Sequence, residues 1–291
     1  MKRVAACAAV AAIVLAACGG GGGTKKTAAQ GTTTSSEDTS TTVAGGSSTS
    51  VAAGAATTTK TTAKGSTTGG ATVNGKPATN YTPPPGATPA KPATPGTYHY
   101  DTSGSSSLGT QSSSPPPVTP LVVDPPNGTQ QHSFRDERTP DGKGSTTDTW
   151  LDFKPEGVYL DEIKVVSSSP FGAQTIDFKA NPPVLAAPTG VKPGQSVEFD
   201  LSDPSYGVSI HVKIDFVRME TITIGGQAVD TIVTHQVGTL SGKVTGTQTS
   251  DSWVAPQYDL FVKDHTVADL TAYGVKAHSD ITSQLQKLTP G

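Results

Sequence analysis

Large apolar side chains are distributed very unevenly along this chain, and their distribution limits what it can fold into. Leu, Ile, Val and Phe account for 54 of the 291 residues, a fraction ordinarily associated with disorder. Residues 97–291 contain 46 of them, whereas residues 19–96 contain three. A core can therefore form only in the C-terminal part. This distribution excludes a multi-domain α/β enzyme of full length and a polytopic membrane protein.

Residues 18–96 have the composition of a tether. Most of them are Thr, Gly, Ala, Ser or Pro, and six Lys stand against two acidic residues. The segment cannot bury enough apolar surface to offset the conformational entropy that folding would cost, so we predict a long disordered linker. As a flexible coil it would have a root-mean-square reach of roughly 50 Å.

The first residues of the chain are typical of a targeting segment. Lys2 and Arg3 precede an uninterrupted apolar run of twelve residues from Val4 to Leu15. Twelve helical residues span about 18 Å, which is short of the roughly 30 Å of a bilayer's hydrocarbon core. The run therefore predicts a signal peptide rather than a membrane span.

A box of small residues ends this signal, Leu15-Ala16-Ala17-Cys18, and glycines follow it. It resembles the signal of bacterial lipoproteins, which ends in a Leu-[Ala/Ser]-[Ala/Gly]-Cys box. The resemblance implies a signal peptide over residues 1–17, cleavage between Ala17 and Cys18, and lipidation of Cys18 with palmitate-type chains. Two acyl chains suffice for stable anchoring, so the resemblance implies a membrane partner and a location on the extracytoplasmic face of the cell membrane.

Apolar residues in the predicted domain, 97–291, recur with a period of two. Over residues 208–216 they alternate strictly with polar ones, which predicts a half-buried strand. The pair Gly225-Gly226 predicts a two-residue hairpin loop, because both residues tolerate a positive φ. The other predicted strands are Tyr98–Thr102, Leu121–Val123, Gln130–Arg138, Thr147–Phe153, Val158–Ser167, Gln174–Phe178, Val197–Leu201, Asp230–Val237, Leu240–Thr249 and Trp253–Lys263.

The end of the chain has a mixed pattern. Val267–Tyr273, followed by Gly274, predicts one short helix. The residues after Gly274 fit either a helix or a strand, and we favour a strand because strong helix formers are scarce at the start of that segment. Short strands without long βα crossovers predict an all-β fold, an antiparallel meander curled into an open half-barrel or a sandwich.

Charge and motifs narrow the classes of function. Residues 97–291 contain 13 Lys or Arg against 22 Asp or Glu, and such an acidic domain is a poor nucleic-acid binder. We find no nucleophile elbow, zinc-protease motif or paired-cysteine motif, so we predict no enzyme, no metal site and no cofactor. His211 and Asp215 share a strand face, which leaves a ligand pair open. The adjacent carboxylates Asp136-Glu137 would point to opposite faces of a strand, and we interpret them as solubilising positions.

Aromatic residues of the domain leave two alternatives open. They either form the core or line the wall of a ligand cavity. A cavity above roughly 300 Å³ would favour ligand binding, whereas a filled core would argue against it. The residues concerned are Trp150, Phe153, Tyr159, Phe178, Phe199, Phe216, Trp253 and Phe261.

Three C-terminal segments carry a second resemblance: Trp253-Val254-Ala255-Pro256, Asp259-Leu260-Phe261-Val262-Lys263 and the closing Leu285-x-x-Leu288-x-Pro290. With them the domain resembles uncharacterised envelope β-domains, which share the general shape of the LolA-type lipoprotein-carrier half-barrels. The resemblance implies a curled sheet with a concave apolar face and no catalytic residues. Carriers of that type cover the sheet with helices, and this sequence predicts almost none.

Together these features predict a non-catalytic, membrane-anchored envelope lipoprotein. Its β-domain would bind an apolar ligand, such as a lipid, or a protein partner. The alternative is a structural or adhesive cell-wall module, with a packed interior and an outer face that makes the contacts. A hydrolase is a third hypothesis, and it would require a histidine and two carboxylates converging in one cleft.

Overall fold

The computed structural model describes residues 70–169 and 172–291, which form fifteen strands and one short 3₁₀-helix, Ala78–Asn80. The strands are β1 (Thr72–Val73), β2 (Lys76–Pro77), β3 (Gly96–Leu108), β4 (Gln111–Ser113), β5 (Val118–Val123), β6 (Gln130–Asp136), β7 (Gly144–Lys154), β8 (Gly157–Ser169), β9 (Gly172–Pro188), β10 (Ser196–Asp203), β11 (Val208–Ile224), β12 (Gln227–Gly242), β13 (Val244–Ala255), β14 (Leu260–Ala272) and β15 (Val275–Leu285).

Twelve of these strands close into an antiparallel barrel. From β5 to β15 each strand pairs with the next one along the chain, and β3 pairs with both β15 and β5 to complete the ring. The strand β4 extends the pairing of β3, and the hairpin β1–β2 pairs with β10. The predicted all-β antiparallel meander is confirmed. The predicted open half-barrel or sandwich is wrong, because nine residue pairs from Ala277↔Leu108 to Leu285↔Tyr100 join the two edges that an open sheet would leave unpaired.

One side of the barrel interior is apolar. In β10 and β11 the directly paired residues Phe199 and Val212, and likewise Val197 and Ile214, are buried. We call the inner face of β8–β11 the apolar wall. Its buried residues include Leu160, Ile163, Val165, Ile176, Phe178, Leu201, Ile210 and Phe216.

The opposite side of the interior is mixed. The inner face of β12–β15, which we call the polar wall, carries buried hydroxyls, amides and one carboxylate beside apolar residues such as Leu240, Leu270 and Ala277. Pairing places its members side by side, so that Thr234, Ser252, Asp264 and Ser283 form one row across the four strands. The other buried polar members include Gln236, Gln248, Ser250, Thr266 and Ser279.

The predicted hairpin loop is confirmed, whereas two predicted strands are wrong in extent. Ile224 pairs with Gln227 across Gly225 and Gly226, which have φ values of 55° and 82°. The predicted strands Leu240–Thr249 and Trp253–Lys263 are wrong in extent, because each runs across a turn that separates consecutive strands. The preference for a strand after Gly274 is confirmed by β15.

The predicted helix Val267–Tyr273 is wrong. Residues up to Ala272 belong to β14 and pair both with β13 and with β15. Two neighbouring strands satisfy the backbone hydrogen bonds of this segment, which outweighs its weak local helix preference. Within residues 70–169 and 172–291, no helix is long and apolar enough to cross a membrane.

The boundary predicted between tether and domain at residue 97 is also wrong. Thr72 and Val73 pair with Glu198 and Val197 of β10, and the Tyr81 hydroxyl donates a hydrogen bond to the Thr189 carbonyl at 2.6 Å. Residues from 70 onward therefore pack against the barrel, although few of them are large and apolar. The predicted signal peptide, Ala17, Cys18 and the first part of the predicted linker lie outside the described residues.

Candidate functional site

A buried arginine crosses the barrel interior from β6 to the polar wall. The Nε of Arg135 lies 3.0 Å from Oε1 of Glu137, and its Nη1 lies 3.6 Å from Oδ1 of Asp264. Its Nη2 donates a 2.6 Å hydrogen bond to Oγ of Ser283. The side chains of Arg135 and Glu137 are only 11% and 7% exposed. One guanidinium thus joins strands that are far apart in sequence.

Tyr100 of β3 completes this charge cluster of Arg135, Glu137 and Asp264. Its ring centroid lies 5.2 Å from Cζ of Arg135, a distance typical of a cation–π contact. Its hydroxyl donates a 2.6 Å hydrogen bond to the carbonyl of Phe261. Burial raises the pKa of Tyr100, so the hydroxyl remains a donor.

Burial acts on the charged members of the cluster in opposite directions. It raises the pKa of Glu137 and of Asp264, and the nearby guanidinium offsets only part of that effect. Burial alone would lower the pKa of Arg135, but Glu137 and Asp264 outweigh it and hold the pKa above its ordinary value. Arg135 therefore stays charged, while the two carboxyls take up protons more readily than they would in water.

A cavity of about 100 Å³ lies beside this cluster. Arg135 and Asp264 contribute to its lining, and the other polar groups there come from β6, β7, β13, β14 and the turn before β14. Its polar lining residues are Gln131, Ser133, Arg135, Thr147, Thr149, Ser252, Asp259, Asp264 and Thr266. Its apolar and aromatic lining residues are Ala93, Tyr100, Leu121, Val123, Leu151, Phe153, Leu260 and Phe261.

The eight aromatic residues singled out in the sequence divide between core and surface. Phe153, Phe178, Phe199 and Phe216 are buried, and among the eight only Phe153 and Phe261 line this cavity. Trp150 and Trp253 are half-buried; the Trp150 ring lies 4.7 Å from that of His132, and Lys263 Nζ lies 4.6 Å from the Trp253 ring. Most of these aromatics therefore fill the interior or cover the outer face.

The outer face carries histidine–aspartate pairs that join neighbouring strands. The predicted pair His211 and Asp215 does not meet, because His211 Nδ1 lies 2.9 Å from Asp200 and Asp215 lies 3.1 Å from Nζ of Lys213. Within the described residues, His, Cys, Asp and Glu form no group of three that could hold a metal ion. The other exposed pairs, at 2.7–2.9 Å, are His235–Asp251, His265–Asp280 and His278–Asp269.

One histidine does contact two carboxylates. Nδ1 of His132 lies 2.7 Å from Asp124, and its Nε2 lies 2.9 Å from Asp148. His132 alternates along β6 with the cavity-lining Gln131 and Ser133, so it faces outward, away from the cavity. Both ring nitrogens are thus already engaged with carboxylates at the surface.

Sequence reasoning missed the charged residues of the interior. Asp136 and Glu137 do point to opposite faces, but only Asp136 lies at the surface, where it binds Arg138 at 2.7 Å. The interpretation of Glu137 as a solubilising residue is therefore wrong. The one available signal was the alternation along β6, which places Gln131, Ser133, Arg135 and Glu137 on a single face.

Comparison with known proteins adds little to this geometry. No protein-family model matches the chain, and no curated protein matches it either. A presumed exported protein with a YmcC-like fold from Bacteroides fragilis is 11% identical, with a TM-score of 0.34, and the match covers 68% of this chain and 98% of that one. A presumed lipoprotein from Parabacteroides distasonis is 14% identical, with a TM-score of 0.36, over 69% of this chain and 98% of that one. TM-scores this low carry no argument about fold or function.

Proposed function

We propose that this chain is a non-catalytic, membrane-anchored envelope lipoprotein whose barrel is a packed module that contacts a protein or cell-wall partner through its outer face. The observation that carries the proposal is the filled interior. The cavity beside Arg135 measures about 100 Å³, well below the volume of roughly 300 Å³ from which ligand pockets ordinarily begin. A charge cluster also borders it, and burying lipid chains against charged groups is unfavourable.

The apolar wall offers no concave surface to a lipid. Its large side chains, such as Phe178, Phe216 and Ile214, are at most 1% exposed and pack against one another in a single cluster. An apolar ligand would have to displace them, which would forfeit the packing that stabilises the barrel. The surface that remains for a partner is the outer face with its histidine–aspartate pairs.

Native mass spectrometry of the mature lipoprotein tests this proposal. The protein would be purified from its host's membranes in detergent, which retains the covalent anchor. We expect the mass of the chain from Cys18 with its acyl chains and no further lipid. A stoichiometric non-covalent lipid that survives detergent exchange would overturn the packed-module proposal in favour of a lipid carrier.

The anchor is tested separately. A Cys18→Ala variant lacks the thiol that would be acylated, and we expect it in the soluble fraction after cell lysis, with the wild-type chain in the membrane fraction. A Cys7→Ala variant is the matched control, because Cys7 would be removed with the signal peptide, and it should fractionate like wild type. Membrane retention of the Cys18→Ala chain would contradict the anchor.

A further inference from the structure

An open groove crosses the outer face of the barrel over strands β11, β12 and β13, outside the packed interior. It measures about 340 Å³. Its apolar part consists of Val217, Val233 and Trp253, and its polar part consists of two aspartates, a histidine and an arginine. The groove therefore combines hydrogen-bonding groups with an apolar surface, as ligand sites commonly do.

Two β-bulges shape this groove. The pairing of β11 with β12 shifts between Phe216 and Arg218, so that Val217 is an extra residue in β11. Val217 and Arg218 both line the groove, whereas in an unbroken strand two consecutive side chains would point to opposite faces. The pairing of β13 with β14 shifts beside Trp253. Bulges redirect side chains and are over-represented next to functional sites, so this pair marks the groove as a candidate site.

The charged groups of the groove already have partners. Asp215 lies 3.1 Å from Nζ of Lys213, Asp251 lies 2.7 Å from Nδ1 of His235, and Arg218 lies 2.7 Å from a neighbouring glutamate. These pairs leave little charge for an ionic ligand to neutralise. The lining side chains among them are 39–53% exposed, and a carboxylate or a guanidinium can form several hydrogen bonds at once. The polar part therefore suits a neutral ligand rich in hydroxyl groups.

Trp253 supplies the broad apolar surface. Lys263 contacts its ring from the β14 side, with Nζ 4.6 Å from the ring centroid, whereas the groove extends toward β12 and β11. On that side Val233 pairs with Trp253 and is only 2% exposed, although it alternates along β12 with the inward Thr234. Val233 thus forms a covered floor, and Trp253 and the 45% exposed Val217 flank it.

The size of the groove matches one sugar ring. A volume of about 340 Å³ corresponds to about eleven water molecules, and a hexose has about twelve heavy atoms. A pyranose ring also has hydroxyl groups around its rim and an apolar face of C–H groups. We propose that this groove binds one neutral hexose unit of a cell-wall glycan. Its C–H face packs against Trp253 and Val217, and its hydroxyls donate to Asp215 and Asp251. The site rests on the proposed outer-face function and names the partner of that face.

Tryptophan fluorescence tests the proposal, because the chain contains only two tryptophans, Trp150 and Trp253. In a Trp150→Phe variant of the mature lipoprotein, Trp253 is the sole reporter. The probes are the methyl glycosides of glucose, galactose and mannose, and the detergent must lack a sugar headgroup. We expect a saturable change in emission with at least one of them, and none with sorbitol, an acyclic polyol of similar size without a ring face. No saturable change with any glycoside, or an equal change with sorbitol, would overturn the proposal.

Two further variants in the Trp150→Phe background place the site. Asp251→Ala removes a hydrogen-bond acceptor of the groove and should weaken glycoside binding at least about tenfold, the effect of losing one hydrogen bond to a charged group. Asp269→Ala is the matched control, because Asp269 also belongs to an exposed pair, with His278 at 2.8 Å, but does not line the groove. Both positions are exposed, so both variants should fold. Equal affinity in the two variants would overturn the assignment of the groove.

Failure of this inference is distinguishable from failure of the proposed function. If no glycoside binds while native mass spectrometry shows no bound lipid, the packed module stands and its partner is not a glycan of these hexoses. A bound lipid would instead remove the packed-module proposal, whatever the glycosides do.

Discussion

The two walls of the barrel interior differ in the polarity of the side chains that they bury. The apolar wall is filled by branched and aromatic side chains from β8–β11, whereas the polar wall of β12–β15 presents Asp264, small hydroxyls and amides, with Arg135 reaching it from β6. Twelve strands enclose a wider interior than eight, and long side chains must cross it. The comparison shows that polar side chains are buried in this barrel where the register of their strand turns them inward.

The largest expected effect is a cavity in the apolar wall. Phe178 is fully buried, and Phe178→Ala should lower the free energy of unfolding by about 3–5 kcal/mol. The loss comes from lost packing, so it should be nearly the same at neutral and at acidic pH. Urea unfolding measures it, with Val217→Ala as the control, because Val217 is 45% exposed. A loss below about 1 kcal/mol would contradict the packing assigned to the apolar wall.

A second, pH-dependent effect distinguishes the polar wall. Arg135→Leu leaves Glu137 and Asp264 buried without their cation and should cost about 3 kcal/mol at neutral pH. Both carboxyls have raised pKa values in the folded protein, so the folded state holds their protons more tightly than the unfolded state does. The loss should therefore shrink as the pH falls and the two carboxyls become neutral.

The same urea series at two pH values checks the sign of this effect. Arg138→Leu is the control, because Arg138 pairs with Asp136 at the surface. If the Arg135→Leu loss were equal at both pH values, ionisation of the interior carboxyls would not be its cause.

A smaller effect concerns the hydrogen bond that joins Arg135 of β6 to the polar wall. Ser283→Ala removes the acceptor of Nη2 of Arg135, and hydrogen bonds to charged groups contribute about 1.5–3 kcal/mol. We expect a loss of about 1.5 kcal/mol in thermal or urea unfolding, at the lower end of that range. Ser105→Ala, at an exposed position of β3, should be neutral. A neutral Ser283→Ala would mean that Arg135 is held by its carboxylates alone.

The smallest effect belongs to the outer face. The side chains of His211 and Asp200 are 51% and 56% exposed, and exposed ion pairs contribute about 0–1 kcal/mol. His211→Ala should therefore change the free energy of unfolding by less than about 0.5 kcal/mol. A larger loss would show that the surface pairs stabilise the barrel and are not free to serve a partner.

The contrast between the walls also explains which strands the sequence could predict. Around Ile210, Val212 and Ile214 apolar and polar residues alternate, so both β11 and its buried face were visible. Along β14 the inward Asp264 and Thr266 alternate with the outward His265. Both faces are polar there, the period of two disappears, and the segment after it was predicted as a helix.

The charge cluster was hidden for a related reason. The most apolar residue of β6 is Phe134, and hydrophobicity alone would turn it inward. The structure instead turns Ser133 and Arg135 toward the cavity. The partners of Arg135 lie more than a hundred residues away on β14 and β15, so only the closed barrel brings them together.

Closure of the barrel and the N-terminal boundary of the folded region both depend on pairing between residues that are distant in sequence. The pairing of β15 with β3 joins residues 169 to 185 positions apart, and nothing in the sequence near Leu108 indicates it. At the N-terminal boundary the sequence does contain a signal that predicts structure. Asn74-Gly75 is a strong hairpin sequence, and both residues have the positive φ that such turns require, at 50° and 72°. The low apolar content around it concealed a hairpin that pairs with β10.

The central claim is that the polar wall holds a carboxylate inside the barrel, and a ¹³C NMR titration of the Asp264 carboxyl tests it most directly. The resonance would be assigned by its loss in Asp264→Asn. We predict a pKa clearly above the ordinary aspartate value of about 3.9, because burial raises it more than Arg135 lowers it. A pKa at or below that value would show that burial does not outweigh Arg135 at Asp264 and would contradict the account.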